Sequence, residues 1–226
     1  MDDYKSEKEQ WEDIKSWIKE NGAWIVAGVV IGVGGLYGYR FWQTGQNEHA
    51  IEAHVHYGNV LNALNRDKKD EALKEIAALD NEYARTPYGD QARLALARWY
   101  VAVGKVADAA VPLRKVMEDS RDDVLRHTAR LRLARVLADT GKLDDALKLI
   151  DGAGSSGFDP RYQEVRGDIL LAKGNRTGAL AAYRAAASSK VPEIVNEDLL
   201  KLKIADLADV APVVAGTAAA PKETRP

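Results

Sequence analysis

The sequence predicts an all-α chain: a single N-terminal transmembrane helix followed by an α-solenoid of about four helical hairpins and a C-terminal capping helix. Three observations carry this. Ala23 to Tyr39 runs for 17 residues without a charged or strongly polar side chain. From about Asn47 to Ala208, apolar residues recur every three or four positions in a background rich in Ala, Leu, Arg, Glu, Lys and Asp, and alternating β-branched runs are missing. Lastly, a small residue is followed 12 positions later by Ala four times: Val60 and Ala72, Ala97 and Ala109, Ala134 and Ala146, Gly167 and Ala179.

An apolar helix needs roughly 20 residues to cross about 30 Å of hydrocarbon. The stretch Ala23–Tyr39 sits at the short end, and its flanks extend it. Trp24 marks one edge, Tyr37, Tyr39 and Trp42 mark the other, and Arg40 can snorkel outwards. A buried core helix would not need aromatic rings at both edges. A cleaved signal peptide would not carry so long and acidic a leader, and no Ala-x-Ala-like site follows Tyr39. The stretch reads as an uncleaved signal anchor. Lys5, Lys8, Lys15 and Lys19 precede it, whereas only Arg40 follows before Arg66. That asymmetry predicts a cytoplasmic N-terminus and an exported bulk. Gly28, Gly32, Gly34 and Gly38 form two G-x-x-x-G spacings that permit close helix approach in lipid. Ordinary glycine enrichment explains them equally well. An intramembrane contact would involve a second copy or another membrane protein.

The segment before the anchor reads as a short amphipathic helix over residues 4–20, with Tyr4, Trp11, Ile14, Trp17 and Ile18 on one face. Its acids (Asp2, Asp3, Glu7, Glu9, Glu12, Asp13) suit an anionic leaflet poorly. A place at the membrane surface and a cytosolic protein contact both stand open. Trp17 and Trp24 sit two turns apart, as in a helix running straight into the membrane, but Asn21-Gly22 is expected to break it.

Of the 32 Lys and Arg residues, five lie within the first 41 positions; of the 34 Asp and Glu, seven do, so 27 of each remain. A neutral domain offers no field for non-specific nucleic-acid binding. With no Cys, disulfides, acylation on Cys and thiol chemistry are excluded.

Between the paired small residues sits a turn: Asp67-Lys68, Gly104-Lys105, Gly141-Lys142, Gly174-Asn175. Four positions after each second Ala comes a large apolar residue: Ile76, Leu113, Ile150, Tyr183. The period is 37, 37 and 33 residues. Gly at the turn tolerates positive φ and ends the first helix. The small residues stand where paired helices cross, and no hairpin covers its apolar face alone, so the hairpins must stack.

These residues resemble the tetratricopeptide family. Leu96-Ala97, Tyr100, Gly104, Ala109, Leu113 and Val116 carry the pattern. It recurs as Leu133-Ala134, Leu137, Gly141, Ala146 and Ile150, and again as Gly167, Leu170, Gly174, Ala179, Tyr183 and Ala186. Asn59, Asp67 and Arg166 depart from it. Pro87, Pro160 and Pro192 fall near the start of the next helix, where Pro is tolerated. Residues 193–209 look like a final helix whose Ile194, Leu199, Leu202 and Leu207 cover the end of the stack. Residues 211–226 read as an Ala- and Pro-rich disordered tail.

The resemblance implies a concave face lined by the first helix of each hairpin. Its positions here are Tyr57 and Leu61, then Leu94, Arg98 and Val101, then Leu131 and Arg135, then Glu164 and Asp168. Some members of the family clamp a carboxylate with Lys where this chain has Leu94 and Leu131. A partly apolar groove flanked by charge suits a segment of another protein. Packing between repeats is the competing role for the two Leu residues.

Nothing in the sequence points to catalysis, a cofactor, a metal or a small-molecule substrate. Of the four histidines, His49, His54, His56 and His127, the pair His54 and His56 lie two apart on a helix and do not share a face. Gly152-Ala-Gly-Ser-Ser-Gly157 matches G-x-G-x-x-G, but follows a helix and not a strand, so it reads as a loop. Arg126, Arg130, Arg132 and Arg135, with Asp122, Asp123 and Asp139 nearby, read as a solvated helix face.

The whole arrangement resembles the YfgM-type ancillary subunits of the bacterial SecYEG translocon. WEDIKSWIKENG, the glycine-rich anchor, HAIEAHVHYGNVLNALNRDKKDEAL and TPYGDQARLALARWYVAVGK carry it. That resemblance implies a Gram-negative inner-membrane protein with a periplasmic repeat domain. It implies partners in the translocon, in periplasmic chaperones such as the prolyl-isomerase-like PpiD, and in inner-membrane lipid. A link to envelope-stress signalling through the cytosolic segment is a further implication. The expected division is a cytosolic segment over 1–21, an anchor over 22–42, repeats over 43–209 and a tail over 210–226. A scaffold for cell-division or outer-membrane assembly proteins is the alternative role.

Overall fold

A computed structural model describes residues 7–153, 157–188 and 195–208. Tyr4, Lys5, Pro192, Ile194 and the tail from residue 209 lie outside the described residues, as do the side chains of Lys8 and Trp42. The described residues are helical and contain no strand. The chain divides into two compact units, Met1–His56 and Tyr57–Pro226.

Helix α1 covers Glu7–Asn65. The expected break at Asn21-Gly22 is absent. Asn21 donates from its side-chain amide to the Trp17 carbonyl (3.0 Å), satisfying itself within the helix. A helical Gly costs only about 1 kcal/mol relative to Ala, too little to interrupt long apolar turns. Gln10–Phe41, 32 residues, is long and apolar enough to cross a membrane, and none of it is buried in the protein. Trp24 and Phe41 are 80% and 85% exposed. Trp11, Ile14, Trp17 and Ile18 are exposed as well. An apolar helix with no protein around it fits a membrane-anchored chain.

In the second unit, the end of α1 turns into α2 (Lys69–Glu82). Next come α3 (Tyr88–Ala102), a 3-10 turn (Val106–Ala109) and α4 (Ala110–Asp119). Helices α5 (Asp123–Asp139), α6 (Leu143–Ile150), α7 (Asp159–Ala172), α8 (Arg176–Ala187) and α9 (Glu197–Ala208) complete it. Pro112 explains the 3-10 turn: its ring would clash with the Asp108 carbonyl and it has no N–H for an α-helical bond there. Pro87 directly precedes α3, and Pro160 is the second residue of α7, as their sequence positions predict.

The four hairpin turns close in one way. The N–H groups of Lys68, Lys105, Lys142 and Asn175 donate to the carbonyls of Ala63, Tyr100, Leu137 and Leu170 at 2.8–2.9 Å. The residue before each donor is left-handed: Asp67 (φ 57), Gly104 (77), Gly141 (81) and Gly174 (80). This six-to-one bond with an αL residue is the Schellman stop. Asp67, the non-glycine member, accepts a hydrogen bond from the Trp99 indole (3.0 Å).

The 12-residue spacing marks the core. Val60, Ala72, Ala97, Ala109, Ala134, Ala146 and Ala179 are all buried, and so are Ile76, Leu113, Ile150 and Tyr183. Gly167 is buried against the Tyr183 ring, where a Cβ would collide. First helices of successive hairpins touch, α3 with α5 and α5 with α7, and α8 carries α9.

The register of α9 differs from expectation. Leu200 and Leu207 are buried, whereas Leu199 and Leu202 (67% exposed) face outwards. The inner stripe is Leu200, Lys203, Ile204 and Leu207, an i, i+3, i+4, i+7 face with a lysine in it.

Candidate functional site

Leu94 and Leu131 do not line an open groove. They are 8% and 4% exposed and belong to the core shared by α3, α4 and α5. Each stands four residues before Arg98 or Arg135, on the same helix face, and is covered by its neighbours where the arginine is not. Tyr57 is half-buried with its ring beside Tyr88 (centroids 5.8 Å apart), and Leu61 is half-buried. Arg98, Val101 and Arg135 do come together. They line one cavity of about 340 Å³, joined by Arg132 and Asp139, over a floor of Ala97, Leu113 and Val136.

Arg132 therefore belongs with the groove residues, although the sequence reading placed it on a solvated face. That reading holds for Arg126, which pairs with Asp123 and donates to the Ser120 carbonyl (3.1 Å). It holds for Arg132 and Arg135 too, which are exposed to solvent while they rim the cavity. The i, i+3 spacing of Arg132 and Arg135 was the available signal. Arg132 sits below the ordinary arginine value, first because burial strips its hydration, then because Arg98, Arg135 and Arg161 add positive charge.

At the next repeat the groove positions Glu164 and Asp168 are already engaged. Lys203 of α9 donates to both, at 3.0 and 2.7 Å, and lies 5.3 Å from the Tyr183 ring centre. Tyr183 donates its hydroxyl to Asp168 (2.8 Å). Burial and the Asp168 hydrogen bond hold that hydroxyl well above its ordinary pKa. Burial works against the Lys203 charge, but Asp168 and Glu164 outweigh it, and its pKa lies above the ordinary lysine value.

His127 is partly buried beside Phe158 and Tyr162. Its Nδ1 is 2.8 Å from the Tyr162 hydroxyl and its ring stacks on Phe158 (4.7 Å). Burial, then Arg130, hold it below the ordinary histidine pKa. Among the described residues no three His, Asp or Glu side chains gather as metal ligands. Gly152 (φ 73) starts a connection between α6 and α7; residues 154–156 of the G-x-G-x-x-G match lie outside the described residues. The site thus combines an apolar floor with three arginines at its rim.

The family described as a tetratricopeptide repeat-like domain matches residues 15–209. A protein of Escherichia coli strain K12 named "Ancillary SecYEG translocon subunit" is 34% identical over 209 residues, 92% of this chain and 99% of that protein. Proteins with the same name from Haemophilus influenzae and Neisseria gonorrhoeae are 29% and 26% identical, each over 89% of this chain and 97% of their own length. No solved structure matches the chain.

Proposed function

We propose, for a chain that belongs to the YfgM-type family of ancillary SecYEG translocon subunits with a tetratricopeptide repeat-like domain, the role of a membrane-anchored, non-enzymatic adaptor of the protein-export channel. The observation that carries it is the 34% identity running over 92% of this chain, anchor and repeats together, to a protein of that name. The charge asymmetry around the anchor supports a cytoplasmic N-terminus and a periplasmic repeat domain in the inner membrane. There the repeats would link the SecYEG translocon to periplasmic chaperones such as PpiD. The face bearing Arg98, Val101 and Arg135 is the partner-binding surface in this reading, with Tyr57 and Leu61 on the first hairpin extending it. Gly28, Gly32, Gly34 and Gly38 would meet the channel within the lipid.

Purification of the tagged chain from mild detergent tests the role. The expected result is recovery of translocon subunits; a clean preparation without them overturns it. The absence of Cys makes orientation equally testable. A single Cys placed at Thr177 should react with a membrane-impermeant maleimide from the periplasmic side of intact cells. Protection there reverses the topology.

A further inference from the structure

We propose that the cavity between α3 and α5 is a subsite for an acidic peptide segment of a partner protein, its carboxylates received by Arg98, Arg132 and Arg135 and its apolar side chains by Val101 and the floor below. The proposal deepens the adaptor reading by naming the chemistry of what the repeat surface takes.

Charge pairing across the second unit supplies the argument. Many of its cations find acids: Arg93 with Asp80 and Asp90, Arg166 with Asp151, Lys173 with Asp144, Lys115 with Asp119, Lys203 with Glu164 and Asp168. Others, such as Lys105 and Lys142 at the turns, do not; at the cavity three arginines without an acid meet over one apolar floor. Among the described residues, no carboxylate stands within 4.0 Å of Arg98, Arg132 or Arg135. Asp139 lines the same cavity one helical turn from Arg135 and still does not pair with it. The next acids along the hairpin faces, Glu164 and Asp168, are occupied by Lys203. In a domain whose charges balance, the cavity thus gathers three arginines against the single carboxylate of Asp139.

Like charges held together raise each other's free energy; the Arg132 pKa is lowered first by lost hydration and then by Arg98, Arg135 and Arg161. An arginine does not lose its proton at neutral pH, so the relief must come from an anion. The guanidinium fork matches a carboxylate bidentately. The shape selects among anions. A recess of about 340 Å³ with an apolar floor accepts side chains projecting from an extended chain or helix. Asp139 at its wall disfavours a uniformly anionic surface such as a lipid headgroup plane. The chain's own acidic segment, N-terminal to the anchor, lies across the membrane in the proposed orientation, which leaves a different polypeptide as the occupant.

Fluorescence anisotropy on the full chain in detergent, with a short fluorescein-labelled peptide alternating Leu and Glu, tests this. The acidic peptide should bind, and its counterparts with Gln or Lys in place of Glu should not. Binding should weaken as salt rises, because exposed ion pairs are screened over about 8 Å at physiological ionic strength. Each of Arg98→Ala, Arg132→Ala and Arg135→Ala should weaken it about tenfold. Arg126→Ala, on the same helix but paired with Asp123, should leave it unchanged. Circular dichroism checks that the variants keep their helices. Equal binding of the Glu and Gln peptides overturns the subsite, and so does acidic-peptide binding that survives the triple alanine variant. Binding of a soluble short-chain phosphatidylglycerol that the triple variant lacks, with no peptide binding by the parent, also overturns it and assigns the arginines to lipid. Translocon recovery from the same preparations keeps the two readings apart. A chain that co-purifies with the channel but ignores the acidic peptide retains its role and loses the subsite. One that binds the peptide without the channel does the reverse.

Discussion

Glycine does opposite things in the two units of this chain. Along α1, Gly28, Gly32, Gly34, Gly35 and Gly38 have nothing within 4 Å of where a Cβ would stand. Along α7, Gly167 is pressed against the Tyr183 ring, and no Cβ fits. The residue type is the same; the difference is what occupies the other side. In the repeats the chain fills its own small-residue notch. On α1 the notch is left open, so whatever fills it must be lipid or another molecule. The exposed Trp24 and Phe41 follow the same logic, as does the buried core around Leu133.

The largest effect should come from the filled notch. Tyr183→Ala empties a fully buried aromatic site and should destabilise by about 4 kcal/mol. Gly167→Ala overpacks the same contact and should cost about 2 kcal/mol. The two are one interaction seen from both sides, so Gly167→Ala should cost little once Tyr183→Ala has made room. Urea unfolding of the detergent-solubilised chain, followed by circular dichroism, reads all three. Additive losses would mean that the helices do not cross at this pair.

Next comes Lys203, the lysine inside the capping helix. Lys203→Met leaves Glu164 and Asp168 half-buried side by side and should cost about 2 kcal/mol, concentrated in α9. Amide exchange over Glu197–Ala208 is the local readout. The pH dependence has a definite sign. Lys203 and Tyr183 both hold their protons more tightly folded than unfolded. Their contribution is full below pH 10.0, the lower of their ordinary values, and is lost as pH rises through their folded values above 10.5. In Lys203→Met the lysine's share of that alkaline loss should vanish.

The turns give a smaller contrast. Gly141→Ala places a side chain at φ 81 and should cost about 1 kcal/mol. Asp67→Gly relieves the left-handed strain of the first turn but removes the acceptor for Trp99, so it should change stability by less than about 0.5 kcal/mol. Thermal unfolding of the two variants side by side compares them. A large gain from Asp67→Gly would show that the indole bond contributes nothing.

Which parts of this were legible follows from where the information resides. The hairpins were readable because the crossing of two helices imposes one spacing on the chain, and Val60–Ala72 through Gly167–Ala179 obey it. The register of α9 was misread because counting leucines favours Leu199 and Leu202. The inner stripe instead accepts Lys203, whose partners belong to a different hairpin. Leu94 and Leu131 are groove positions only by the family pattern; they share a face with Arg98 and Arg135, and what buries them is the core built with α4 and α5, which the sequence does not display. The four arginines of α5 were visible as a run. That Arg126 pairs with Asp123 follows from their i, i+3 spacing, whereas the meeting of Arg132 and Arg135 with Arg98 depends on the neighbouring α3, which no local pattern records. The helix running through Asn21-Gly22 was missed for an energetic reason: a weak helix former breaks a helix only when the backbone has a better partner, and an apolar medium offers none.

The open notch on α1 should show the smallest effect on the chain itself and the most selective effect on its association. Leu at Gly28, Gly32, Gly34 and Gly38 meets no atom of this protein and improves helix propensity by up to about 1 kcal/mol per site. Extraction with carbonate should therefore find the variant in the membrane as before, and its repeats should unfold at the same temperature. If a transmembrane partner packs into the G-x-x-x-G face, four leucines hold its backbone away, and recovery of translocon subunits should fall while everything intrinsic is unchanged. The same substitution therefore separates two uses of an empty surface. Unchanged recovery means that lipid fills the face and that attachment to the channel runs through the repeats, which moves the weight of partner recognition onto Arg98, Arg132 and Arg135.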